Sequence, residues 1–113
     1  SPGDYAAFKF PPLPRHDRKT CPAIDGIIEE GEEILESFKD SPALDAGLVS
    51  AAQAVEHYEI TRYGTLKRWA EVLGMKEAAA LLSRTLDEES AADEKLTGIA
   101  DKTANPEAAE PVE

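Results

Sequence analysis

Basic residues are scarce in this 113-residue chain: twelve lysines and arginines stand against twenty-three aspartates and glutamates, for a net charge of −11. Phosphate binding needs a basic face, so this balance argues against nucleic acid and against an anionic membrane surface as partners. Solubility accounts for most of the acid. Cysteine is nearly absent, and the single Cys21 leaves no internal disulfide to form. Nothing else calls for an oxidising compartment, so the expected location is the cytoplasm. Long hydrophobic runs are missing too: no stretch approaches the roughly 20 apolar residues of a membrane span, or the apolar core of a signal peptide. The chain begins Ser1-Pro2-Gly3 rather than with methionine, which points to a processed or truncated start.

What is present is a short helical domain between two poorer segments. Hydrophobic residues make up 42% of the chain, enough for one core. Residues 1–20 form a proline-rich arm in which Pro11-Pro12-Leu13-Pro14 favours an extended, polyproline-like path. Tyr5, Phe8 and Phe10 would tie that arm onto a hydrophobic surface, unless it is a floppy leader. Arg15, His16, Arg18 and Lys19 read as a solvated linker. Residues 101–113, rich in Ala, Pro and Glu, read as a disordered acidic tail. Packing therefore falls to residues 21–100, roughly 80 in number, and a domain so small often relies on oligomerisation or a metal.

Within 21–100 the pattern is all-α. A first helix starts near Cys21-Pro22, with Thr20 as its cap, and carries Ile24, Ile27, Ile28, Leu35 and Phe38 at helical spacing. Gly31 lies on that apolar face, where it permits close helix approach. A second helix over 43–73 lines up Leu48, Ala52, Val55, Leu66, Ala70 and Leu73. Gly74 reads as a stop and tight turn. A third helix over 75–100 lines up Ala79, Leu82, Leu86, Leu96 and Ala100. So short a link between two long helices predicts an antiparallel helical hairpin, joined by the shorter first helix.

Both long helices carry acids inside their own apolar stripes. At about 100° per residue, Glu59 falls within roughly 20° of the Leu48–Leu66 axis, with Glu56 about 60° from Glu59 in an arc that also holds Tyr63. On the third helix Glu89 and Asp93 lie about 40° apart, between Leu86 and Leu96. A buried carboxylate costs several kcal/mol unless compensated. Arg62 and Arg84, or wet bundle ends, would satisfy these acids one by one. A hard cation would satisfy all four together, since such ions take several carboxylate oxygens and di-iron and di-manganese bundle sites are built this way. Glu56, Glu59, Glu89 and Asp93 are thus candidate metal ligands, and Tyr63 is a candidate to hydrogen-bond one of them. His57 lies about 180° from the stripe axis, which predicts an exposed residue or one at another interface rather than a ligand. Trp69 and Tyr58 flank the stripe as packing residues, and Cys21, with no base beside it in sequence, reads as an inert thiol.

Cys21-Pro22-Ala23-Ile24-Asp25-Gly26-Ile27-Ile28-Glu29-Glu30-Gly31, then Ala52-Gln53-Ala54-Val55-Glu56-His57-Tyr58-Glu59-Ile60 with Tyr63-Gly64-Thr65-Leu66, resembles the YciE/YciF-type ferritin-like proteins of bacteria. Leu86-Asp87-Glu88-Glu89 and Asp93-Glu94-Lys95-Leu96 are similar to that family's last helix. The resemblance covers residues 21–100. It implies a ferritin-like bundle, a link to stress response, and a di-iron or di-manganese site at Glu56, Glu59 and Glu89. Two departures stand out. The helical pair that precedes these segments in the family is replaced by the proline-rich arm. The histidine usual three residues after a ferritin-type glutamate is replaced by Glu59 after Glu56 and by Ala92 after Glu89. Any site is then all-carboxylate, or half of one.

A chain holding half a bundle exposes the stripes the other half would cover. The expectation is a homodimer or higher homo-oligomer, with the second and third helices of two copies completing a four-helix bundle. Two functions follow. One is a ferritin-like metal-binding protein that oxidises or sequesters iron, or protects against oxidative stress. The other is a non-catalytic helical stress or interaction protein with no bound metal. A tail acting as a docking peptide is disfavoured by its lack of apolar anchors. Whether the protein is an enzyme is not decided by these residues.

Overall fold

The computed structural model of the protein describes residues 20–111. The arm expected over residues 1–20 lies outside the described residues except for Thr20, as do Val112 and Glu113. The architecture is all-α: α1 (Pro22–Ser37), α2 (Leu44–Val72), α3 (Lys76–Ile99), a π-helical turn (Ala100–Ala104) and a short α4 (Asn105–Ala108). No strand occurs among the described residues.

Helix α1 begins with Pro22 in its first turn, where the missing N–H has no partner to lose. The cap position belongs to Cys21, whose backbone is extended (φ −91°, ψ 106°) and whose side chain makes no cap bond. Thr20 therefore precedes the cap rather than forming it. Helix α2 stops in a Schellman turn. Gly74 takes φ +73°, its N–H donates to Glu71 O (3.1 Å), and the Met75 N–H donates to Ala70 O (2.8 Å). A residue with a Cβ is strained at that φ, so glycine is the residue that lets the chain reverse at once into α3. The predicted hairpin follows from this turn.

Helix α1 lies along the first half of α2 and, among the described elements, packs against no other. A Cβ placed on Gly31 would meet Ala51 Cβ at 3.7 Å, and one on Gly47 would come within 2.7 Å of Ile34 Cγ2. Gly31 thus lies at a close approach of the two helices, as expected, and Gly47 is where an added side chain has the least room, against Ile34. Ile24, Ile27, Gly31 and Ile34 are half-buried, whereas Ile28, Leu35 and Phe38 remain 50%, 52% and 45% exposed. The expected stripe is therefore split. It is wider than one helix contact, and α2 takes only one edge of it.

The core is thin. Its buried residues are Ala70, Ala100 and Ala104, and no large side chain is fully buried among the described residues. Leu48, Ala52, Val55 and Leu73 of α2 and its end, with Ala79, Leu82, Leu86 and Leu96 of α3, are half-buried, while Leu66 is 43% exposed.

The expected domain edge at residue 100 needs correction. Helical structure runs on to Ala108, and both the π-helical turn and α4 pack on α2, with Ala104 only 1% exposed. Small alanines let the chain lie close, and that contact outweighs a composition typical of disordered tails. The π-helical turn has a local cause. Asn105 N–H bonds to Ala100 O, five residues back, immediately before Pro106, which has no N–H and whose ring clashes with the carbonyl four residues earlier in a regular α-helix.

Candidate metal centre

The antiparallel pairing of α2 and α3 brings Glu56 and Glu59, one turn apart on α2, opposite Glu89 of α3. One carboxylate oxygen from each lies within 4.8 Å of the others, and all three residues are half-buried. Neither nearby arginine neutralises them. Arg62 sits over the Tyr58 ring at 5.1 Å, and no ion pair joins Arg62 or Arg84 to these acids among the described residues.

Three like charges so close cannot all remain ionised cheaply. The Glu89 carboxyl is accordingly pushed up to about 8. The Glu56 carboxyl within hydrogen-bonding reach is the main cause, followed by burial and by the hydrogen-bonding and negative charge of Glu59. Glu56 Oε2 is buried and has no hydrogen-bond partner. A glutamate with an orphaned buried oxygen, grouped with two further carboxylates, suits a hard cation, which takes oxygen ligands and keeps remaining positions for water or substrate. The donor set is right for one such ion. It falls short of the bundle di-metal pattern of four carboxylates and two histidines.

Asp93 is not part of this group. Its Oδ1 lies 2.9 Å from His57 Nε2 and accepts from Gln53 Nε2 at 3.2 Å. Gln53 Nε2 also donates to Thr97 Oγ1 at 2.8 Å. Asp93 therefore clasps α2 to α3 instead of turning to the three glutamates. His57 is 66% exposed on its side chain, as its angular position predicts, yet it faces α3 rather than solvent alone. Helix α3 flanks α2 instead of lying on its stripe axis, so an imidazole far from that axis still reaches it. Gln53 was not a candidate in the sequence. Its signal was the matched four-residue spacing of Gln53 and His57 against Asp93 and Thr97 on the facing helices. Tyr63 is half-buried but makes no hydrogen bond to a carboxylate among the described residues. Cys21 Sγ lies 3.2 Å from Tyr58 Oη, and that hydrogen bond is the first cause that lowers the thiol below its ordinary range.

No helix among the described residues is long and apolar enough to cross a membrane. Residues 14–109 match the family model described as "Domain of unknown function (DUF892)". The chain is 50% identical over 91 residues to Protein YciF of Escherichia coli strain K12, covering 80% of this chain and 55% of that protein. The crystal structure of the E. coli stress protein YciF superposes with a TM-score of 0.74 at 50% identity, over 79% of this chain and 56% of that one. The chain thus spans about half the length of the relative it matches. A family model over nearly all of the helical region, a half-identical relative and a shared fold make this chain a member of the DUF892 family.

Proposed function

We propose that the protein is a ferritin-like, carboxylate-based metal-binding protein in which Glu56, Glu59 and Glu89 hold a divalent iron or manganese ion. The observation that carries this reading is the buried, unpartnered Oε2 of Glu56 among three carboxylates that no arginine neutralises. When bound, such an ion supplies Lewis-acid or redox chemistry toward oxygen or peroxide. The chain's own residues do the rest. Glu56 and Glu59 present oxygens from successive turns of one helix, Glu89 closes the group from the other, and the Gln53–His57–Asp93 clasp fixes the spacing of the helices. Iron oxidation or sequestration in the cytoplasm, as part of a stress response, is the role that fits this donor set and the relative's description as a stress protein.

A second reading has its own support. A proton held by Glu89, pushed up to about 8, relieves the cluster at neutral pH without a metal, and the protein is then a non-catalytic helical stress or interaction protein. Titration calorimetry with manganese(II), together with elemental analysis of protein purified without chelator, separates the two. Saturable binding that disappears in a Glu59→Ala, Glu89→Ala double variant favours the metal site. No binding, with stability unchanged or raised by those substitutions, favours the second reading.

A further inference from the structure

Helix α1 meets α2 along one stripe and covers only half of it. Cys21 Sγ lies 3.2 Å from Tyr58 Oη, a Cβ on Gly31 would touch Ala51, and one on Gly47 would press on Ile34. The two helices therefore run antiparallel, and α1 begins at the middle of α2, beside Tyr58. The stripe itself goes on. Five turns of an α-helix take about 18 residues, so Thr65 and Trp69 repeat the angular positions of Gly47 and Ala51, with Val72 about one turn further. Gly47, Ala51 and Tyr58 are half-buried. Along the continuation Arg62 is exposed, as are Trp69 at 36% and Val72 at 57%. The π-helical turn and α4 lie towards the other end, since Gln53 meets Thr97 and the residues after Thr97 run towards the start of α2.

Extended backwards from Cys21, the line of α1 passes over Arg62, Trp69 and Val72. Helix α2 rises about 21 Å from Tyr58 to Val72, at ~1.5 Å per residue. A polyproline path advances ~3.1 Å per residue, so about seven residues span that distance. Seven residues before Cys21 stands Pro14, the last of Pro11-Pro12-Leu13-Pro14, preceded by Phe8 and Phe10. In this register the apolar part of the arm matches the apolar end of the stripe. The polar residues 15–20 match the stretch of Arg62 and Thr65. The chemistry agrees, because proline-rich segments dock on aromatic side chains at little ordering cost, their extended helix being already formed.

We propose that residues 8–14 of this chain are a strap that lies on the second half of α2, with Pro11-Pro12-Leu13-Pro14 against Trp69 and Val72. The strap prolongs the cover that α1 begins. One stripe of α2 is then lined from end to end by a single stretch of chain, and the aromatic end of the hairpin is an interaction surface occupied from within.

Trp69 is the chain's single tryptophan, so its fluorescence reports on the strap in the full chain. Phe10→Ser with Leu13→Ser should leave helical circular dichroism unchanged and move the emission to longer wavelength. Acrylamide quenching should rise about twofold as the indole loses apolar cover. A synthetic peptide of residues 5–16, added to that variant, should reverse both changes. Val72→Gln alters the helix and leaves the arm intact; trypsin should then cut after Arg15, Arg18 and Lys19 about threefold faster. Emission and quenching that are the same with and without the two serines overturn the strap. Cleavage unchanged by Val72→Gln places the arm on another surface and overturns the docking site. Quenching of the unaltered chain that rises on dilution assigns the cover to a second copy, which also overturns the proposal.

Discussion

His57 Nε2 stands 2.9 Å from Asp93 Oδ1, and the same oxygen accepts a hydrogen bond from Gln53. One carboxylate thus holds two successive turns of α2 against α3. Asp93 is the hub of this clasp, so Asp93→Ala should cost about 1–2 kcal/mol, because His57 loses its partner and Gln53 keeps only Thr97 and the Asp93 backbone carbonyl. His57→Ala should cost less than about 1 kcal/mol, since its imidazole is largely solvated and surface pairs contribute little. Urea unfolding of the two variants checks the order; a larger loss for His57→Ala would show that the hub lies elsewhere.

Glycines in the same helix should respond in opposite directions. Gly47→Ala drives a methyl to 2.7 Å from Ile34 Cγ2. Ile34 is β-branched and cannot swing away freely. Overpacking of about 1–3 kcal/mol then outweighs the ~1 kcal/mol gained in helix propensity. Gly64 has nothing within 4 Å of the added Cβ, so Gly64→Ala should stabilise by about 0.5–1 kcal/mol. Thermal melts of both single variants are sufficient, and equal shifts of one sign would refute the close approach of α1 and α2.

The pH dependence of the metal-free protein follows from Glu89. Its carboxyl lies at about 8 in the folded chain against an ordinary 4.5, so between these values the folded state binds more protons than the unfolded one. The contribution is fully present below pH 4.5 and is lost as pH rises through about 8. Glu89→Gln is neutral at every pH and should flatten this part of the profile. Unfolding midpoints from pH 5 to 9 that decline equally in both proteins would assign the effect to the general acidity of the chain. Manganese(II) competes with the same proton, so its affinity should rise across the interval.

Removing residues 101–113 tests the extended C-terminal boundary. Loss of the buried Ala104 and of the cover that α4 gives α2 should lower stability by about 1–2 kcal/mol. A disordered tail would leave the unfolding midpoint where it was.

Much of the hairpin was legible because its causes are local. Gly74 carries its own backbone requirement, and the spacing of Leu48, Ala52 and Val55 needs only helix geometry. The convergence of Glu56, Glu59 and Glu89 was legible for the same reason, as each lies in its own helix's stripe. Asp93 was not, because the angular position of a residue on one helix says nothing about how far the neighbouring helix is displaced sideways. Nor was the split of the α1 stripe. Ile28 and Ile34 lie on opposite edges of one broad apolar arc, and only the position of α2 decides which edge is covered. Composition misleads at residues 101–108, since an Ala-, Pro- and Glu-rich segment reads as disordered, whereas here Pro106 follows a change in the ladder's spacing and the chain continues as helix.

That change of spacing has a directional consequence. Each extra residue in a turn advances the backbone by about 100°, so the five-residue bonding at Ala100–Ala104 acts as a fixed rotation between α3 and all that follows. Deleting one residue there would restore ordinary winding and re-aim α4 by roughly a quarter circle. The protein would keep the same composition in its last segment and lose the orientation that lets Ala104 lie against its neighbours.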